Sequence, residues 1–84
     1  MTEDELREYI EIGNDIEWEY QGRKFSIVPK ATDDSGKSCI SVCEFYQEPV
    51  NVYTFDELIN IHFYGTSVMA MLGSLTDDDW WHVF

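Results

Sequence analysis

The stretch DIEWEYQGRKFSI, residues 15–27, decides the fold prediction for this chain. Charged and apolar residues alternate over residues 15–20, which is the period of a β-strand with one face on a core. Gln21-Gly22 then supplies a turn, and Phe25 and Ile27 continue the alternation on the returning strand. The pattern predicts an antiparallel hairpin at about residues 15–28, ended by Pro29.

The first strand of this hairpin has two chemically different faces. Its core-facing residues are expected to be Ile16, Trp18 and Tyr20, and its outer residues are Asp15, Glu17 and Glu19. Carboxylates at alternate positions of a strand stand about 6.5–7 Å apart. This is close to the spacing of adjacent phosphates, so the row can imitate a nucleic acid backbone. Two interpretations stay open: a phosphate mimic, or the solvent face of an amphipathic strand. Lys24 is expected to pair with one of these acids across the hairpin.

A short helix is predicted before the hairpin, at about residues 3–12. Thr2 and Glu5 have the spacing of a capping box, and Gly13 offers a C-terminal stop. Glu8 and Glu11 would lie on the polar side of this helix. We expect them to form a second acidic patch together with Asp77, Asp78 and Asp79.

Shorter elements are predicted after the hairpin. Residues 30–37 form a polar loop, and residues 38–46 form a third strand, with a bulge near residues 42–44 or burial on both faces. Residues 50–53 are predicted as a short edge segment. Helices are expected to begin at Thr54, carrying Ile61 or His62, and at Thr66 or Ser67, and a last turn at residues 76–79. The sequence therefore predicts a single α+β domain over residues 1–84. It has an N-terminal helix, a three-stranded antiparallel sheet, and two or three short C-terminal helices packed on one face.

Charge is the most informative feature of the composition. Seventeen acids and five bases give a formal net charge of −12, and no Lys or Arg occurs after Lys37. Such a chain repels nucleic acid and anionic membranes, so direct binding to either is not expected. It is steered toward basic protein surfaces, many of which bind nucleic acid. The simpler alternative is that the charge serves solubility alone.

The sequence carries no constellation typical of an enzyme. Phosphate-binding loops, nucleophile elbows and HExxH motifs are missing, and His62 and His82 are the only histidines. Three consecutive aspartates lack the spacing of a calcium loop, so we expect neither metal nor cofactor. Cys39 and Cys43 on one strand lie too far apart for a disulfide. Reduced thiols, and no signal peptide or membrane span, predict a cytoplasmic protein.

The aromatic segment at residues 80–84, WWHVF, admits two interpretations. It completes the core of a small domain, or it forms an exposed anchor for a partner or a second subunit. Trp80 and Trp81 cannot face the same way in a helix or a strand, so one of them is expected to be partly exposed.

Two stretches carry a resemblance to known proteins: IGNDIEWEYQGRKFSI at residues 12–27, and EFYQEPVNVYTFDELIN at residues 44–60. They resemble small uncharacterised acidic proteins of low-GC Gram-positive bacteria and their phages. The size, acidity and order of elements are similar to those of acidic anti-CRISPR inhibitors, which occupy the DNA-recognition groove of an RNA-guided nuclease. This layout implies an inhibitor that acts on a nuclease in the host cytoplasm.

The leading prediction is a non-enzymatic acidic inhibitor, of the phage anti-defence type, that binds a basic and nucleic-acid-binding protein surface. Its partner-binding residues are predicted to be Asp15, Glu17, Glu19, Glu8, Glu11, Asp77, Asp78, Asp79, Trp80 and Trp81. The alternative is a structural or adaptor protein that forms homodimers or larger oligomers, or docks through its aromatic C-terminal segment.

Overall fold

The computed structural model describes residues 1–84 as three short helices and seven strands. In chain order these are α1 (Glu3–Ile12), β1 (Ile16–Tyr20), β2 (Arg23–Thr32), β3 (Ser38–Glu44), β4 (Val50–Val52), α2 (Phe55–Ile59), β5 (His62–Phe63), β6 (Thr66–Ser67), α3 (Val68–Gly73) and β7 (Trp81–Val83). None of the three helices is long and apolar enough to cross a membrane.

The main sheet has five antiparallel strands in the order β4-β3-β2-β1-β7, and β5 and β6 form a separate two-stranded hairpin. The predicted α+β fold with a three-stranded sheet is therefore wrong: the chain is mostly sheet. The β5–β6 hairpin was not predicted, and the main sheet gains two strands beyond the predicted three: β4, expected only as a short edge segment, and β7, which the sequence analysis treated as a tail following a turn. At three residues it is too short to show a convincing alternation, and it pairs with β1 across more than 60 residues of chain.

The central hairpin is confirmed. Ile16 pairs with Ile27 and Trp18 with Phe25 across β1 and β2. Gln21 and Gly22 have φ of 51° and 79°, the two positive values of a type I′ turn, whose twist matches that of the flanking strands.

Two details of the neighbouring strands differ from the prediction. Pro29 does not end β2, which runs on to Thr32. The register with β3 shifts between Val28 and Ala31, so the residue without an N–H falls at the irregular part of the ladder. A bulge near residues 42–44 of β3, one of the two predicted alternatives, is therefore absent, because the register with β2 is regular there and the extra residue lies on β2 instead.

The predicted capping residues of α1 and α3 are confirmed, whereas the predicted end of α2 is not. Thr2 and Glu5 form the predicted capping box, and Gly13 closes α1 with a φ of 96°. Ser67 caps α3 through the Ala70 N–H at 3.0 Å. At α2 the prediction is partly wrong, because the helix ends at Ile59 and leaves Ile61 and His62 outside it.

All three helices cover the same side of the main sheet. Thirteen buried residues form one hydrophobic cluster that joins the helices to the strands. The helical members are Leu6, Ile10, Leu58, Val68, Met71 and Leu72, and the strand members are Ile16, Trp18, Phe25, Ile27, Ile40, Val42 and Val52. The opposite face of the sheet contributes nothing to this cluster and is open.

Arg23 ties the β5–β6 hairpin to the sheet. Its guanidinium lies 4.0 Å from the centroid of the Tyr64 ring and donates to Glu44 Oε2 at 3.1 Å. The Tyr64 hydroxyl donates to the other oxygen of the same carboxylate at 2.6 Å. This hydroxyl, and then Arg23, lower the pKa of Glu44 below its usual range.

The placement of β7 predicts that two neighbouring tryptophans contribute unequally to stability. Trp81 packs against the core cluster, whereas Trp80 does not. We expect Trp81→Ala to lower the free energy of unfolding by about 2 kcal/mol, less than the 3–5 kcal/mol typical of a fully buried ring. Trp80→Ala should cost under about 1 kcal/mol. Urea denaturation followed by circular dichroism measures both, and equal losses would contradict the assignment of the two rings to opposite faces.

Candidate binding face

Two columns of side chains run side by side on the open face of the sheet. In an antiparallel sheet directly paired residues share a face. Glu17 pairs with His82. The Glu19 N–H donates to the Trp80 carbonyl at 2.9 Å, and the Phe84 N–H donates to the Asp15 carbonyl at 2.8 Å. The column along β1 is therefore Asp15, which directly precedes the strand, Glu17 and Glu19; the column along β7 is His82 with Phe84 and Trp80, which directly flank that strand. We call these six residues the acid–ring face.

The rings of the β7 column contact one another and remain accessible. The Trp80 and His82 ring centroids are 5.1 Å apart in an edge-on arrangement, and His82 and Phe84 are 6.1 Å apart. Phe84 is 65% exposed. The aromatic segment is divided between the two faces of the sheet: Trp81 and Val83 pack against the core cluster, as the first interpretation predicts, and the other three rings face outward. Whether these outward rings anchor a partner stays a prediction.

The acidic column has no cationic partner within the chain. Arg23–Glu44 is the only ion pair present, so none of Asp15, Glu17 and Glu19 forms an ion pair within the chain. The predicted cross-strand position of Lys24 opposite one of these acids is confirmed, but no ion pair forms between them. Lys24 stands opposite Glu19 in the register, but its ammonium lies over the Trp80 ring, 4.6 Å from the centroid.

Most of the basic side chains of this protein form cation–π contacts with aromatic rings. Four of the five cationic side chains lie over a ring. The pairs are Arg7 with Phe55 at 4.1 Å, Arg23 with Tyr64 at 4.0 Å, Lys24 with Trp80 at 4.6 Å and Lys37 with Tyr53 at 4.6 Å. The sequence analysis missed these contacts, since each partner is at least sixteen residues away along the chain. With five bases for seventeen acids, most surface carboxylates have no cationic partner, and only Arg23 of these ring-bound cations also forms an ion pair.

The other predicted acidic residues lie elsewhere. Glu8 and Glu11 are exposed on α1, which covers the core side of the sheet, so they do not belong to the acid–ring face. Asp77, Asp78 and Asp79 are exposed in the turn that leads into Trp80. The Asp79 carboxylate accepts from the Thr76 N–H at 2.7 Å and caps this turn, as predicted. The second acidic patch, Glu8 and Glu11 with Asp77, Asp78 and Asp79, therefore stays a prediction and is separate from the acid–ring face.

A shallow cleft of about 420 Å³ borders the Trp80 end of the face. Its lining includes Glu19, Lys24, Phe45 and Tyr46. Tyr46 is 99% exposed and adopts a φ of 68°, unusual for a residue with a side chain. Its ring meets the Phe45 ring edge-on at 6.2 Å. Accessible aromatic surface thus continues beyond Trp80 toward the loop after β3.

The residues considered for catalysis are scattered. His62 is exposed in β5, and its Nδ1 lies 2.8 Å from the Asn60 carbonyl oxygen. Cys39 is buried and Cys43 is half-buried, and both are free thiols. The Cys43 thiol donates to the carbonyls of Glu44 and Gln47. No group of three or more His, Cys, Asp or Glu side chains is placed to hold a metal ion.

One further carboxylate is locally well organised. Asp33 accepts from the backbone N–H groups of Ser35 and Lys37 at 2.9 Å and from the Tyr53 hydroxyl. The Tyr53 hydrogen bond, followed by that of the Ser35 hydroxyl, holds the pKa of Asp33 well below its usual range. The same bond raises the pKa of Tyr53 to about 12. This network ties the β2–β3 loop to the end of β4.

The lowered pKa of Asp33 predicts an acid-dependent loss of stability. A carboxylate whose pKa is lower in the folded than in the unfolded chain stabilises the fold above the unfolded value of about 4, and this contribution fades as pH falls. Asp33→Asn should lower the urea midpoint clearly at pH 7 and by a smaller amount at pH 3, and most of the effect should disappear only at still lower pH, where the carboxylate of the folded protein is itself protonated. Asp34→Asn removes the same charge from an exposed neighbour and should shift the midpoint little at either pH. An Asp33→Asn effect that did not shrink with acid would contradict this reasoning.

Comparisons with protein-family models, curated proteins and solved structures found no match for this chain.

Proposed function

We propose that this protein is a non-enzymatic binding protein whose acid–ring face docks onto a basic surface of a partner protein. The observation that carries the proposal is the column of three carboxylates, Asp15, Glu17 and Glu19, on a sheet face that no helix covers. None of the three has a cation of its own chain as a partner. These three carboxylates can therefore form ion pairs with cations of a partner protein.

The charge of the whole molecule favours this kind of partner. A net charge of −12 on 84 residues creates a negative potential that accelerates encounters with basic proteins. The spacing of the column, about 6.5–7 Å between alternate residues, resembles that of successive phosphates. A groove lined with Arg and Lys for nucleic acid is the kind of surface that matches both features.

Occupation of such a groove would inhibit the partner, because nucleic acid and this protein compete for the same cations. A nuclease or another nucleic-acid enzyme is the partner class that we propose, and we propose the cytoplasm as the place of the encounter. The alternative, an oligomer or adaptor formed through the rings, would use the same face, since Phe84 lies beside Asp15. Two copies meeting through this face would bring like charges together, which is unfavourable.

A matched pair of triple variants tests the role of the column. Asp15→Asn, Glu17→Gln and Glu19→Gln together neutralise the face, and Glu3→Gln, Glu8→Gln and Glu11→Gln remove the same charge from α1. Used as baits in a lysate of the cells that make the protein, the wild type and the α1 triple should retain one basic protein. The face triple should bind that protein at least about tenfold more weakly, as expected for three charge contacts of 0.5–1 kcal/mol each.

Two further readouts define the outcome. The retained protein should be released at about 1 M salt, where the Debye length is near 3 Å. It should also lose labelled duplex DNA when the wild-type protein is added. Equal retention by both triples would remove the site assignment, and retention that resists salt would favour the adaptor alternative.

A further inference from the structure

Lys24 indicates what kind of group the acid–ring face binds. Its ammonium lies 4.6 Å from the centroid of Trp80, and Lys24 stands opposite Glu19 in the sheet. The Lys24 ammonium is thus held over the Trp80 ring, and the Glu19 carboxylate lies on the strand between them. The chain supplies this cation itself, at one end of the face.

The same combination of groups recurs along the face. Each carboxylate of β1 has a ring of β7 as its cross-strand neighbour: Glu19 beside Trp80, Glu17 beside His82, and Asp15 beside Phe84. Paired residues on neighbouring strands have Cα atoms about 5.5 Å apart, so one bound group reaches both members of a row. The face is therefore a ladder of three carboxylate–ring rows.

Guanidinium is the cation that suits such a row. Its planar group stacks on a ring while its N–H donors reach a carboxylate in a bidentate arrangement. An ammonium is a compact, strongly hydrated charge, so it binds a ring and a carboxylate together less well than a guanidinium does. The rows should therefore favour arginine over lysine at equal charge.

The repeat of the rows matches an extended chain. Successive rows are two residues apart along β1, which is about 6.5–7 Å. Alternate side chains of an extended segment point to the same side with this repeat. We propose that the acid–ring face recognises an extended partner segment that carries arginine at alternate positions. This inference rests on the proposed function, which it narrows from a basic surface to a particular arrangement of guanidinium groups.

Lys24 then acts as a built-in competitor at the Trp80 row. An arriving arginine must displace its ammonium from the ring before it can stack there. Removal of this lysine should strengthen binding by more than the change in net charge alone explains. Lys37 is a matched control, because it lies at the same 4.6 Å from a ring, that of Tyr53, which is not part of the face.

Three labelled peptides of equal charge test the proposal by fluorescence anisotropy with the full chain at low salt. The first has the pattern Arg-Ser-Arg-Ser-Arg, the second has lysine in place of arginine, and the third has its three arginines adjacent. We expect the alternating arginine peptide to bind about three- to tenfold more tightly than either of the others, as one or two stacked guanidinium groups imply.

Variants of the chain give the second arm of the test. Trp80→Leu and Phe84→Leu, checked for folding by circular dichroism, should erase the preference for arginine and keep the salt-dependent binding of all three peptides. Lys24→Gln should tighten binding of the alternating arginine peptide more than Lys37→Gln does. The comparison of Lys24→Gln with Lys37→Gln keeps every aromatic ring, so it remains informative if Trp80→Leu or Phe84→Leu disturbs the fold.

The outcomes separate this inference from the proposed function. Equal, salt-dependent binding of the three peptides, lost in the face triple variant, would overturn the arginine ladder and keep the acidic docking face. Binding that is the same for the face triple and the wild type would overturn both. Equal effects of Lys24→Gln and Lys37→Gln would remove the role of Lys24 as a competitor.

Discussion

The cross-strand stack of Trp18 on Phe25 is the contact on which the arrangement of this protein depends. The two rings are buried at the centre of the sheet, with centroids 5.5 Å apart and planes inclined by 20°. Phe25 in turn meets Phe63 of the small hairpin at 5.1 Å, and Trp18 pairs with Trp81 on the other side. The indole N–H of Trp18 has no hydrogen-bond partner. Burial of so large a ring outweighs that cost, which is about 1–3 kcal/mol for an unpaired polar group.

This aromatic row also determines the surface on the other side of the sheet. Side chains alternate between faces, so a slip of one residue in β1 would expose Trp18 and bury Glu17 and Glu19. Burial of the tryptophan makes that register very unfavourable. The position of the acidic column is therefore a consequence of core packing on the opposite face. The same alternation fixes the rings along β7, because Trp81 can pack against the core only if Trp80 and His82 point outward.

The distribution of cations explains why the acids remain unpaired in so small a molecule. Arg7, Lys24 and Lys37 lie over aromatic rings, and Arg23 is held between a ring and Glu44. Lys30 packs along Gly13, where an added Cβ would lie 3.0 Å from its Cε. Each basic side chain thus contacts a ring, a carboxylate or a glycine of its own chain, although all five remain exposed at the surface. Most of the surface carboxylates therefore have no cationic partner within the chain.

Local patterns in the sequence determined the central hairpin, the capping box of α1 and the alternation of acids along β1, because these depend on neighbours within a few residues. Only the tertiary structure decided that β4 and β7 extend the sheet to five strands, and that the aromatic segment lies beside the acidic column. A three-residue strand has too few alternations to be recognised, and its stability comes from the edge on which it pairs. The contacts between lysines and rings are equally invisible in sequence, since the partners are brought together by the fold and not by their spacing. The sequence therefore determined the residues of the acidic column and of the aromatic segment. That the two lie side by side on one face depended on the pairing of β1 with β7, between residues more than 60 positions apart.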